Sequence, residues 1–147
     1  MSAIEAMLSS NDNTWETPDE FFRSLNEVFR FETDVCATHL TAKCTKYYTP
    51  ENDGLSKDWT GTCWMNPPYG REIPRWVEKA YKESLKGATV VCLIPSRTDT
   101  AYWHDFVLGG GATVINLRGR LRFKMGGEQR DPAPFPSSIV IFWGCFK

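Results

Sequence analysis

Apolar residues fall into short, well-separated groups along the chain, and the spacing inside each group assigns most of the elements. Phe21, Phe22, Leu25, Val28 and Phe29 recur at helical intervals and predict an amphipathic helix that ends near Phe29. Ahead of them, Thr17-Pro18-Asp19-Glu20 reads as a helix start: Thr17 can cap, Pro18 suits the first helical position and Glu20 completes a capping box. A β-prone run, Phe31 to Ala37, follows and closes on small residues. From His39 to Trp59 the pattern is broken by Pro50, Asp53-Gly54 and several charges, which leaves Lys46-Tyr47-Tyr48 as a short strand. Thr62-Cys63-Trp64-Met65 predicts a strand that stops at Asn66-Pro67-Pro68-Tyr69-Gly70. Trp76, Val77, Ala80, Tyr81, Ser84 and Leu85 then share one side of a helix over Pro74 to Lys86, and Gly87 terminates it.

Ala88 to Ile94 is continuously apolar and rich in β-branched residues, as a strand covered on both faces would be. A short helix over Ala101 to Leu108 ends in Gly109 to Gly111, and Thr113 to Leu117 is the next strand. Leu121 to Phe123 is expected to extend the sheet. A loop rich in Gly, Pro and charge, Lys124 to Pro136, leads into a last strand over Ile139 to Trp143. Alternating helices and strands predict an α/β fold with a mostly parallel sheet. No repeat is visible, and a single domain over residues 14–147 accounts for the pattern. Met1 to Asn13 are polar and aperiodic and read as a loosely held tail.

Composition narrows the class further. A chain of 147 residues that is 41% hydrophobic and 24% charged is an ordinary globular one, which excludes disordered, collagen-like and low-complexity readings. No apolar run approaches the roughly 20 residues of a membrane helix, and MSAIEAMLSS lacks a basic start followed by an apolar core. A soluble, cytoplasmic protein is expected. The net charge of −1 excludes a general polyanion binder but leaves room for an enzyme with a local basic patch. Cys36, Cys44, Cys63, Cys92 and Cys145 are odd in number and form no C-x-x-C pair, so reduced, mostly buried thiols are expected. With only His39 and His104 besides, no metal site is expected.

The chemistry concentrates in Asn66-Pro67-Pro68-Tyr69, at the carboxyl end of a strand, where open α/β sheets collect their ligands. Consecutive prolines fix φ and remove two donors, leaving rigidly aimed carbonyls. Asn66 adds a side-chain acceptor, and Tyr69 is expected to offer an exposed aromatic face. An exocyclic amine on a base is a poor nucleophile because its lone pair is delocalised into the ring. Asn66 Oδ1 and the Pro67 carbonyl can accept its two hydrogens, favour a tetrahedral nitrogen and free the lone pair to attack a methyl group, while Tyr69 stacks on the base. Pro-Pro-Tyr also suits a plain turn, or an extended bait for a peptide-binding partner.

Asn66 to Gly70 resembles the (N/D)PPY motif of S-adenosylmethionine-dependent amino-methyltransferases, and the wider chain resembles the phage-type Dam family of DNA adenine-N6 methyltransferases. The matching stretches are Thr17 to Phe22, Phe31 to Ala37, Asp53-Gly54-Leu55 with Asp58-Trp59, Trp64 to Gly70, Leu93 to Thr98, Arg120 to Phe123 and Ala133 to Ser138, in one order from Trp15 to Trp143. The resemblance implies a Rossmann-like methyltransferase fold, a mostly parallel central sheet with helices on both faces, abbreviated where the chain is too short for a full strand-helix-strand unit. It implies S-adenosylmethionine as cofactor and duplex DNA as partner, the target adenine flipped out.

Residue by residue, the resemblance gives Asn66, Pro67, Pro68 and Tyr69 the catalytic role. Thr17 and Pro18 stand where the family closes over the cofactor, and Asp34, Cys36 and Ala37 where the cofactor loop follows the first strand. The usual glycine loop is absent there. Asp53 and Asp58, and also Glu51, are candidates for the ribose hydroxyls, and Asn66 also touches the cofactor site. For DNA, Arg118 to Asp131 carries five basic residues (Arg118, Arg120, Arg122, Lys124 and Arg130) against two acidic ones, a net of +3. Arg97 and Thr98 follow a buried strand at the same edge. No separate target-recognition domain is expected, and a second copy of the chain could share the reading of the target. Cytosine N4, a protein glutamine amide, or non-catalytic nucleic-acid binding on the same fold are the competing functions.

Overall fold

The computed structural model describes residues 15–145, so the expected tail over Met1 to Asn13 lies outside them. Its elements are α1 (Asp19–Phe29), β1 (Thr33–Asp34), β2 (Lys46–Tyr47), a 3-10 turn (Gly54–Ser56), β3 (Thr62–Met65), α2 (Ile73–Leu85), β4 (Thr89–Pro95), a π-helical turn (Trp103–Leu108), β5 (Thr113–Asn116), β6 (Lys124–Met125), β7 (Glu128–Gln129) and β8 (Ser137–Phe142).

Six strands form one sheet in the order β2-β1-β3-β4-β8-β5. The first four are parallel to one another, and β8 runs antiparallel to both β4 and β5, so β5 points the same way as the first four. The mostly parallel sheet expected from the alternation is present, with the last strand reversed and inserted between two others. Register places Asp34, Trp64, Val91 and Ile141 side by side on one face. On that face α1 packs Phe22 edge-on to Trp64, with ring centroids 5.3 Å apart. On the opposite face α2 brings Tyr81 against Phe142 at 6.3 Å and buries Val77 and Ala80 completely. Helices therefore cover both faces, and every residue of β4 beyond Thr89 is buried, as its unbroken apolar run requires.

Local expectations fail in three places. The N-cap of α1 is Pro18, with no side-chain cap bond, because the Thr17 hydroxyl is engaged elsewhere. Val28, placed on the apolar face by spacing, is 76% exposed, while its neighbour Phe29 takes the packed position against Phe31 and Trp143. The end of α1 is held by Asn26, whose carbonyl and Oδ1 accept the N–H groups of Arg30 and Phe31. Leu121 to Phe123 do not join the main sheet, since the Leu121 and Phe123 carbonyls accept from Ala133 and Arg130 on the returning limb of a hairpin. That hairpin, β6 with β7, turns at Gly126-Gly127 with φ of 62° and 83°, values that favour glycine at both positions.

Candidate active site

Two strand ends and one strap build the site. β1 ends at Asp34, so that Cys36 and Ala37 follow at the sheet edge. Its neighbour β3 ends at Met65 and delivers Asn66 beside them. The strap is Trp15-Glu16-Thr17, held over the edge by paired backbone hydrogen bonds between Glu16 and Lys124. Of the residues singled out for a cofactor, Thr17, Asp34, Cys36, Ala37 and Asn66 line one cavity of about 120 Å³, together with Pro67 and Pro68. Trp15 and Trp64 form apolar walls.

Three of that set lie elsewhere. Pro18 stands behind the strap as the N-cap of α1. Asp53 takes a left-handed conformation, φ 55°, ahead of the 3-10 turn, and is exposed. Asp58 faces outward, 3.5 Å from Lys86, and no lining position falls to either aspartate. The next residue explains its direction. Trp59 N–H donates to the buried Glu83 carboxylate at 2.6 Å, which pins this loop to α2 and away from the cavity.

Asp34 is 2% exposed and accepts the N–H of Lys43 at 3.0 Å and of Cys36 at 3.3 Å. Burial pushes its pKa up to about 7, against the opposing pull of those two N–H groups and the Lys43 charge. The Lys43 ammonium itself is committed to Asp19 at 2.7 Å, with Glu16 at 3.9 Å. A buried carboxyl beside aromatic walls is suited to a ligand that brings its own positive charge. Burial also raises the Cys36 thiol, so it faces the cavity as a neutral group rather than a nucleophile.

The amide of Asn66 is held at its nitrogen. Nδ2 donates to the Trp15 carbonyl and, at 3.0 Å, to Thr17 Oγ1. A carbonyl can only accept, so the nitrogen must face it, and the amide orientation follows from its neighbours. Oδ1 is left buried with no hydrogen-bond partner among the described residues. Such an atom costs stability and marks a place where a ligand donor fits.

Tyr69 departs from its expected exposure. It is 4% exposed, its hydroxyl donates to the Leu93 carbonyl at 3.1 Å, and Trp15 stacks on its ring at 6.4 Å and 19°. Phe123 and Phe135 meet the same ring edge-on at 6.0 and 5.6 Å. The sequence assigns Trp15, Phe123 and Phe135 no role at the site, although Phe123 and Phe135 fall within stretches that resemble the family and Trp15 begins the region those stretches span. Among the basic candidates, Arg97, Arg118, Arg120, Arg122 and Arg130 are exposed, as is Thr98, whereas Lys124 is half-buried and ion-paired. Arg120 also donates to the Ala133 carbonyl at 3.3 Å.

A mixed α/β sheet that presents Asn-Pro-Pro-Tyr at its carboxyl edge, beside a cavity and with a buried, unpartnered acceptor on the asparagine, has the features of a methyltransferase. The family model of DNA N-6-adenine-methyltransferase (Dam) matches residues 5–147, and the chain belongs to that family. Its activity is methylation of adenine at N6 in DNA. It is 30% identical over 139 residues to the DNA N-6-adenine-methyltransferase of Haemophilus phage HP1 (strain HP1c1), spanning 90% of this chain and 80% of the relative. It is also 28% identical over 118 residues to the DNA N-6-adenine-methyltransferase of Escherichia phage T1, across 78% of this chain and 49% of that protein.

Proposed function

We propose that the chain takes its methyl group from S-adenosylmethionine bound in the Asp34–Asn66 cavity and delivers it to an adenine flipped out of duplex DNA. The residues fit such a donor: a buried carboxyl suits a cationic ligand, and Ala37 leaves room for close approach. When bound, the donor supplies an electrophilic methyl on a sulfonium. The sheet is read as a Rossmann-like methyltransferase sheet shortened between β1 and β2, where a loop replaces the usual helix. Thr17, Asp34, Cys36 and Ala37 hold the donor, and Pro18 fixes the strap that carries Thr17.

Asn66 Oδ1 and the Pro67 carbonyl accept the two hydrogens of the adenine amine. This concentrates the nitrogen lone pair and aims it at the methyl group that the bound donor would supply, and the two acceptors keep hold of the amine hydrogens until one proton is released to solvent. Tyr69 supplies the platform for the base once Trp15 gives way. Unstacking the adenine costs a few kcal/mol, which the phosphate contacts of Arg97, Thr98, Arg118, Arg120, Arg122 and Arg130 help to offset. The observation that carries the reading is the buried, unpartnered Oδ1 of Asn66. The test is transfer of labelled methyl from S-adenosylmethionine to mixed-sequence duplex DNA, followed by nucleoside analysis. Label in N6-methyladenosine is the expected result, and label in N4-methylcytosine or none at all would overturn it.

A further inference from the structure

We propose that Thr17 is a positioning residue for the transfer step, its hydroxyl acting with the Trp15 carbonyl to lock the Asn66 amide so that Oδ1 alone faces the substrate. This rests on the reading that Asn66 Oδ1 accepts from the target amine. The two ends of an asparagine amide have nearly the same shape but opposite hydrogen-bonding character. Turned over, Asn66 would present a donor to an amine that is itself a donor, and the site would repel its substrate. Both Nδ2 hydrogens are taken by acceptors on one strap; the inverted amide would lose its bond to the Trp15 carbonyl, oppose its oxygen to that carbonyl, and keep Thr17 only by turning the hydroxyl from acceptor to donor.

The local sequence prepares Thr17 for this task. Pro18 restricts the preceding residue to extended backbone, which suits the strap, whose Glu16 pairs with Lys124. Thr17 is 2% exposed and β-branched, so its hydroxyl has few rotamers to choose among. Pro18 takes the N-cap position of α1, and the Thr17 hydroxyl is therefore not spent on the helix. The Trp15 acceptor is main chain and immune to substitution. Thr17 is the side-chain half of the lock and the half that mutagenesis can reach.

The test pairs turnover with a direct view of the amide. Thr17→Val keeps the shape and removes the hydroxyl: kcat is expected to fall about 10- to 100-fold, as for a displaced catalytic group, with KM for DNA little changed. Thr17→Ser restores the acceptor and should recover most of kcat. In 1H-15N spectra of the wild-type protein, the Asn66 side-chain amide, assigned by its absence in Asn66→Asp, should be protected from solvent exchange, and that protection should fall in Thr17→Val. The proposal is overturned if Thr17→Val turns over like wild type, if its loss of activity leaves the amide protection unchanged, or if the wild-type amide exchanges freely. Failure of the wild-type protein to label adenine would instead overturn the reading of Asn66, while the spectra still decide whether Thr17 holds its amide.

Discussion

Lys124 fastens the strap from both its main chain and its side chain. Its backbone exchanges hydrogen bonds of 3.0 and 2.9 Å with Glu16, and its ammonium lies 3.1 Å from the Asp19 carboxylate. Lys43 meets the same Asp19 at 2.7 Å, and the two cations hold the Asp19 carboxyl down to about 2. A residue whose charge suggested phosphate binding is thus occupied in tying a hairpin to the cover of the site.

Lys124→Ala should therefore act on turnover and stability rather than on the electrostatics of DNA binding. Arg122→Ala and Arg130→Ala are each expected to reduce the slope of log Kobs against log salt by about 1. Lys124→Ala should leave that slope unchanged and lower Tm slightly, since a partly exposed ion pair contributes only about 0–1 kcal/mol. Fluorescence anisotropy with labelled duplex across a salt series distinguishes the two behaviours. An equal loss of slope in Lys124→Ala would show that its ion pairs open on DNA.

Asn66→Asp is expected to be as damaging as Asn66→Ala, with kcat down about 100- to 1000-fold for loss of an oriented transition-state acceptor. Aspartate occupies this place in other versions of the motif, but here one neighbour of the amide nitrogen is the Trp15 carbonyl, which can only accept. A carboxylate would set oxygen against the Trp15 carbonyl and turn away from it. Single-turnover transfer rates check this. A variant within tenfold of wild type would mean that the strap rearranges to accept it.

Asp34 predicts an unusual pH dependence of stability. Its pKa rises from the usual 3.8 to about 7 because it is buried. Between about pH 4 and about pH 7 the folded chain holds a proton that the unfolded chain has released, so stability falls as pH rises through that window and levels off above it. Thermal melts from pH 5 to pH 8 should show a declining Tm in the wild-type protein, whereas Asp34→Asn should lack this contribution. Lys43, Cys36 and Cys44 neighbour the carboxyl, and neither thiol titrates in this range. A cationic ligand binding at pH 6 should expel the proton, seen as a calorimetric enthalpy that varies with the buffer.

Tyr69→Phe should retain transfer and lose about 1 kcal/mol through the missing bond to the Leu93 carbonyl. Tyr69→Ala should lose activity together with about 3–5 kcal/mol, since it opens a hole among Trp15, Phe123 and Phe135. Denaturant melts and transfer rates on the same samples separate the two effects. A Phe variant as inactive as Ala would move the role from the ring to the hydroxyl.

Where local pattern decides the structure, the sequence was a good guide. β3 occupies the four residues its apolar run marked, and β4 is covered on both faces as its unbroken hydrophobicity implied. Asn66 emerges from the end of β3 as expected, and Asp34, Cys36 and Ala37 emerge beside it because β1 and β3 are parallel neighbours. Two of the misreadings share one cause: a distant partner outweighed a local preference. Thr17 had every local reason to cap α1 and instead meets Asn66. Tyr69 followed two prolines like an exposed turn residue and was covered by Trp15, Phe123 and Phe135. Leu121 and Phe123 alternate like a sheet strand, yet their carbonyls bond to the returning limb of a hairpin. The partners of Thr17 and Tyr69 lie far along the chain, whereas those of Leu121 and Phe123 stand just across the Gly126-Gly127 turn, a local hairpin signal.

The insertion of β8 between β4 and β5 has a consequence for the order of events on the ribosome. Among the described residues, a nascent chain that stops before Ser137 has β4 with one open edge and β5 without a neighbouring strand, because β8 is what joins them. Exposed apolar edges of this kind invite pairing with other chains. The sheet is therefore completed only when β8 has been made, although Asn66 and its neighbouring strands precede it by about seventy residues. Chains that stop before Ser137 should be insoluble rather than partly active.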